Sequence, residues 1–106
     1  MKQRSDKLFY VYIMNNASGV LYVGMTNHLQ RRVKQHKEGT VEGFTKKYRI
    51  NRLLFYEEFP SAIEAIAAEK QLKGWRRENK LAVVQEMNPE LLYLAFDWYD
   101  DLKDNS

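Results

Sequence analysis

Five side chains in this sequence are of the types that can hydrolyse a phosphate ester, and each falls where the local pattern is otherwise apolar. Tyr10 and Tyr12 stand two apart in one β-rich run, and Tyr22 and Gly24 stand two apart in the next. Strand alternation therefore puts each pair on one face. A glycine beside a tyrosine leaves room for a phosphate or another backbone to approach. Arg32 and His36 are one helical turn apart and share a face with Leu29 and Val33. Glu69, in a later helical pattern, falls between Ile66 and Leu72, on the side expected to be buried. In such a set Glu69 can hold a divalent cation that polarises the phosphate. Arg32 can neutralise developing charge, and a phenol or imidazole can handle the proton. A single carboxylate points to one metal rather than two. The residue types alone leave structural uses open as well: strand tyrosines serve as core or rim, and Arg32 with Glu69 can be a plain buried ion pair.

The elements that must position these groups can be read from the pattern. Residues 8–14 and 20–25 are rich in β-formers and are separated by the turn Asn15-Asn16-Ala17-Ser18-Gly19, which predicts a hairpin. Asn27 is placed to cap a helix through about Lys37. After a polar loop, residues 50–59 suit a third strand ended by Pro60. Ser61 and Glu64 form a capping box for a helix to about Trp75, with Ile63, Ile66 and Leu72 as its apolar contacts. A further helix from about Arg77 should bury Leu81, Val84 and Met87. The aromatic cluster from Leu91 to Tyr99 is expected to form a last helix that packs Leu92, Phe96 and Trp98 on the body, while Asp97, Asp100, Asp101 and Asp104 stay wet. The expected class is α+β: a central three-stranded antiparallel sheet flanked by helices, an α/β sandwich in one domain over residues 1–106.

Composition narrows the function classes. A chain of 106 residues with 44% apolar content has enough for one core. It holds no apolar run of the roughly 20 residues that a membrane span needs. No signal-peptide pattern follows the charged start, so the expected location is cytoplasmic. The absence of cysteine removes disulfides, thiolate metal sites and cysteine nucleophiles. Residues 1–88 hold 16 Lys or Arg against 9 Asp or Glu, and residues 89–106 hold one Lys against five acids, so the body is basic and the tail acidic. A basic body favours polyanionic partners, although an ordinary solvated surface explains the same charge.

Tyr10-Val11-Tyr12 followed by Tyr22-Val23-Gly24 resembles the paired motifs of the GIY-YIG endonuclease superfamily. The likeness extends over about residues 8–88, leaving 89–106 as a helical extension. It is strongest to small stand-alone bacterial members of that superfamily, which have segments similar to Glu42-Gly43-Phe44-Thr45-Lys46-Lys47-Tyr48 and Gln71-Leu72-Lys73-Gly74-Trp75-Arg76-Arg77. The resemblance implies the same fold and an endonuclease acting on nucleic acid, with DNA as the expected substrate and repair or recombination as the setting. It aligns Arg32 with the catalytic arginine, His36 with a position held by histidine or tyrosine, and Glu69 with the glutamate that binds one Mg²⁺ or Mn²⁺. Asn88 matches a site asparagine in relatives, though Asn88-Pro89 also reads as a turn. Two departures stand out: Tyr10 occupies the first glycine position of GIY, and Met25 replaces the lysine found after YIG in excision-repair relatives. Lys46 or Lys47 can replace that lysine at the phosphate, and Arg76 and Arg77 are further expected nucleic-acid contacts. Tyr12 is the expected general base, oriented by Tyr22 and His36. The rival expectations are a nucleic-acid-binding module without turnover, and an adaptor that meets a protein partner or a second copy through its C-terminal aromatic segment.

Overall fold

The central strand is buried on both sides, and this organises the molecule. In the computed structural model, which describes residues 8–41 and 43–98, β1 (Phe9–Asn15) lies between β2 (Leu21–Thr26) and β3 (Arg52–Phe59) in one antiparallel sheet of order β2-β1-β3. Val11 and Ile13 point into one core with Val23, Leu54, Phe55, Ala65, Leu72 and Val84. Tyr12 and Met14 point into the other, with Leu29, Val33, Ile50, Leu53 and Ala95. A register shift between Ile13 and Met14 leaves Leu54 without a partner across the ladder. This bulge lets the neighbours Leu54 and Phe55 enter the same core. The expected three-stranded sheet with helices on its faces is therefore the observed architecture. Among the described residues no helix is long and apolar enough to cross a membrane.

Helix α1 (Leu29–Glu38) covers the second core, the one that receives Tyr12. Its cap is His28 rather than the expected Asn27: His28 Nδ1 accepts from the Arg31 amide at 3.3 Å, while Thr26 Oγ1 accepts from the His28 amide at 3.1 Å. The helix ends at Gly39, whose φ of 72° is the left-handed conformation that glycine adopts without cost. One turn, α2 (Phe44–Lys47), precedes β3. On the other face lie α3 (Ala62–Lys73) and α4 (Arg77–Met87). The capping box that starts α3 is present: Ser61 Oγ accepts from the Glu64 amide at 3.2 Å, and the two side chains meet at 3.1 Å.

The buried faces of these two helices differ from expectation. Ala65 and Leu72 are the buried residues of α3, with Ala68 packed beside them, whereas Ile63 is 80% exposed and Ile66 is also exposed. Alanine lets the helix axis approach the sheet closely, which turns the isoleucines outward. In α4 only Val84 is fully buried; Leu81 is half-buried and Met87 is exposed, where the helix runs past the sheet.

Residues 89–98 were expected to be helical and instead run through turns, with Leu91 in the left-handed region at φ 56°. Asn88 explains the path. Its Nδ2 donates to the carbonyls of Leu54 at 3.1 Å and Leu92 at 2.7 Å, and its Oδ1 accepts from the Leu92 amide at 2.9 Å. The Leu94 amide then donates to the Leu53 carbonyl at 2.9 Å. This path carries Ala95 into the second core and packs Tyr93, Leu94 and Trp98 against it. Leu92 and Phe96, expected to bury, are exposed, and Asp97 is exposed as expected. Asp100, Asp101 and Asp104 lie outside the described residues.

Asn88→Ala would leave three backbone groups unpaired and is expected to cost about 2 kcal/mol. Thermal melting of the variant checks this, and an unchanged melting temperature would show that the segment is held by apolar packing alone.

Candidate active site

Two strands and one helix bring Tyr12, Tyr22 and His36 together. In the β1–β2 ladder Tyr12 lies opposite Gly24. A Cβ built on Gly24 would fall 2.5 Å from both Cζ and Oη of Tyr12 and 2.8 Å from Cε2 of Tyr22. The Tyr12 ring thus lies directly over the backbone of residue 24, a position that glycine alone leaves open. From α1, His36 Nε2 stands 3.0 Å from Tyr12 Oη. The imidazole meets the Tyr12 and Tyr22 rings nearly edge-on, at centroid distances of 5.7 and 5.6 Å. Phe44 of α2 stacks on Tyr22 at 6.3 Å, and Tyr48 follows at 4.7 Å from Phe44, so the short α2 walls one side of the cluster.

Gly24→Ala is expected to lower stability by about 2 kcal/mol, since overpacking a fixed core ring typically costs 1–3 kcal/mol, and to move Tyr12 Oη away from His36. Urea denaturation of the purified variant measures the first effect. A stability equal to wild type would mean that the ring has room to shift.

Charge reaches this cluster from two further residues. Burial, followed by the neighbouring Tyr22, pushes the Tyr12 phenol well above its ordinary range. The Arg32 guanidinium opposes this through its charge and a hydrogen bond, and the Glu69 carboxylate adds to the rise. Burial, aided by Arg32, lowers His36 to about 4, so its ring is neutral at pH 7. Arg32 is half-buried and donates from Nε to Gln35 Oε1 at 3.1 Å. His36 Nδ1 is buried and has no hydrogen-bond partner among the described residues. Glu69 comes from α3; its side chain is 21% exposed and pairs with Lys73 Nζ at 3.2 Å.

These surroundings bear on the expected role of Tyr12. It is fully buried, and that burial favours its protonated form, which weighs against its taking a proton from water at neutral pH. Tyr22 is the half-exposed phenol of the pair.

Among the described residues no three of His, Cys, Asp or Glu gather to hold a metal. A hard cation that keeps several waters needs only one or two carboxylates. Glu69, whose carboxylate is partly open to solvent, fits that requirement if a cation displaces the Lys73 ammonium.

The remaining expected residues sit elsewhere. Asn88 is buried with its amide engaged by backbone, which makes it a structural tether. Arg77 is exposed, and its Nη1 donates to the Gly19 carbonyl at 2.7 Å, tying α4 to the β1–β2 turn. Lys46 and Lys47 are exposed on α2, with Lys47 Nζ 5.4 Å from the Tyr48 ring centre, and Arg76 is exposed at the start of α4. Gln35, Phe44 and Lys73 were missed by the sequence reading. For Gln35 and Lys73 the signal was present, because they lie three and four residues from Arg32 and Glu69 on the same helices.

The profile of the GIY-YIG catalytic domain matches residues 8–82. The chain belongs to the GIY-YIG family. The matched stretch contains Tyr12, Tyr22, Arg32, His36 and Glu69 and ends before Asn88. Among similar proteins, a UPF0213 protein of Bacillus pumilus is 36% identical over 81 residues, which is 76% of this chain and 83% of that protein. One from Streptococcus sanguinis is 36% identical over 77 residues, 73% of this chain and 88% of the relative. The solution NMR structure of a UPF0213 protein from Bacillus halodurans is 33% identical, with a TM-score of 0.49 over 74% of this chain and 83% of that one. This GIY-YIG chain thus has small bacterial relatives whose names specify no reaction.

Proposed function

We propose that this GIY-YIG protein is a metal-dependent endonuclease that hydrolyses phosphodiester bonds in nucleic acid, with DNA as its substrate and repair or recombination as its setting. The observation that carries this reading is geometric: the rings of Tyr12 and Tyr22 close over the backbone of Gly24, and His36 Nε2 stands 3.0 Å from Tyr12 Oη. Arg32 from α1 and Glu69 from α3 add opposite charges to the electrostatics of Tyr12. A guanidinium for phosphate and a carboxylate for a cation are the charges that phosphodiester cleavage uses.

In this reading Gln35 holds the Nε edge of Arg32, which aims the terminal N–H groups at a non-bridging phosphate oxygen. Tyr12 stays protonated and positions Arg32 and His36. Tyr22 Oη meets the attacking water and relays its proton to bulk solvent. Glu69 would hold one Mg²⁺ or Mn²⁺ in place of the Lys73 ammonium. That cation, when bound, supplies positive charge to the departing oxygen. Lys46, Lys47 and Arg76 contribute salt-dependent attraction for the backbone.

A nucleic-acid-binding module without turnover is the second reading, and the Glu69–Lys73 pair favours it because it satisfies the carboxylate without a metal. Incubation with single-stranded, nicked, flapped and duplex DNA in Mg²⁺ or Mn²⁺ separates the two. Cleavage of any substrate supports the nuclease. Retention of DNA with no cutting on the whole panel would leave only the binding module.

A further inference from the structure

We infer that the groove between α1 and β3 is a subsite for an unstacked nucleobase from a single-stranded stretch of nucleic acid, an inference that rests on the nucleic-acid reading given above. The groove has a volume of about 800 Å³, and three aromatic side chains line it: Tyr10, Tyr56 and Trp98. Their rings follow one another edge to face, with centroids 6.5 Å apart for Tyr10 and Tyr56 and 6.3 Å for Tyr56 and Trp98. Each is half-buried and packs against the second core while bordering the groove. At the rim stand Arg31 and Glu58, both exposed and without an ion pair among the described residues.

This lining selects its occupant by chemistry. A purely apolar ligand would leave the guanidinium and carboxylate unused, and a free phosphate would meet the Glu58 carboxylate. A nucleotide uses all of them. Its base has a flat face for the rings, its ring and amino N–H groups can donate to Glu58, and its phosphate can accept from Arg31. The groove also adjoins the candidate active site. Tyr10 lies on the same face of β1 as Tyr12, two residues or about 7 Å away along the strand, and Arg31 directly precedes Arg32 on α1. A strand with its phosphate at Arg32 can place a neighbouring base here.

The test uses the intact protein in EDTA, which prevents cutting. The two indole N–H signals of Trp75 and Trp98 are followed by ¹⁵N NMR during titration with a DNA pentamer and with an abasic deoxyribose-phosphate pentamer of equal length. The normal pentamer is expected to shift Trp98 and not Trp75, and to bind roughly tenfold or more tightly than the abasic one, since stacking is worth about 1–3 kcal/mol per base. Tyr56→Leu, which keeps apolar bulk, should remove most of that preference while the abasic pentamer binds as before. Equal affinity for both pentamers, or DNA binding that leaves the Trp98 signal unmoved, overturns the subsite while the nuclease reading stands. Failure of wild type to bind either pentamer or any DNA of the cleavage panel overturns the nucleic-acid reading itself. Free deoxynucleoside monophosphates then test the groove separately, and an unmoved Trp98 signal there overturns the subsite too.

Discussion

Arg32→Ala is expected to lower the single-turnover cleavage rate about 10²–10³-fold, the usual cost of removing a charge-stabilising donor from a reacting centre. The expectation follows from the surroundings of the guanidinium. Arg32 is half-buried, is anchored through Nε by Gln35, and acts on both Tyr12 and His36. A charge held in this way needs little rearrangement when the phosphate becomes more negative. Arg32→Lys should fail to restore the rate, because an ammonium lacks the planar fork that one edge anchors while the other binds oxygen. Glu69→Gln should fall comparably, with binding of uncut DNA largely retained in both variants. The measurement is cleavage under single turnover in Mg²⁺, set beside a binding titration in EDTA. A Glu69→Gln protein that cuts as fast as wild type would sink the mechanism, and an active Arg32→Lys would remove the geometric part of the argument.

The second large effect concerns pH. His36 falls from an ordinary value of 6.5 to about 4 in the folded protein, chiefly through burial and secondarily through Arg32. The unfolded chain therefore binds a proton between these two values that the folded chain refuses. The stability associated with keeping the ring neutral is fully present above about pH 6.5 and is lost as pH falls through about 4. A difference of that size corresponds to about 3 kcal/mol across the window. His36→Gln, which keeps a polar partner for Tyr12 and cannot titrate, should flatten this part of the profile. Urea denaturation at pH 7, 5.5 and 4 for the two proteins would show it. If both lose stability in parallel over that range, His36 does not control the acid limb.

Where local chemistry decides structure, the amino-acid order alone was enough. The alternation in the first two strands, the Ser61–Glu64 capping box, and Pro60 at the end of β3 each act within a few residues, and each is found where the pattern put it. The sequence also marks Tyr12, Tyr22, Arg32, His36 and Glu69 as polar groups in apolar patterns, and of these the fold packs Tyr12, Tyr22 and His36 against one another.

What the order of residues could not decide depends on neighbours distant in sequence. Helical periodicity offered Ile63 and Ile66 as core contacts of α3. The sheet instead selected the Ala65 and Leu72 side, because a close approach to strands requires a small side chain at the contact. The C-terminal segment carries the apolar content of a helix, yet the side chain of Asn88 and the edge of β3 satisfy its backbone in turns. Tyr12 carries the same phenol as Tyr22, but the packing of β2 and α1 around it buries it and favours its protonated form against the opposing charge of Arg32, whereas Tyr22 keeps a half-exposed ring. Desolvation is a property of everything packed around an atom, and for Tyr12 that packing is assembled only when strands and helices from across the chain have met.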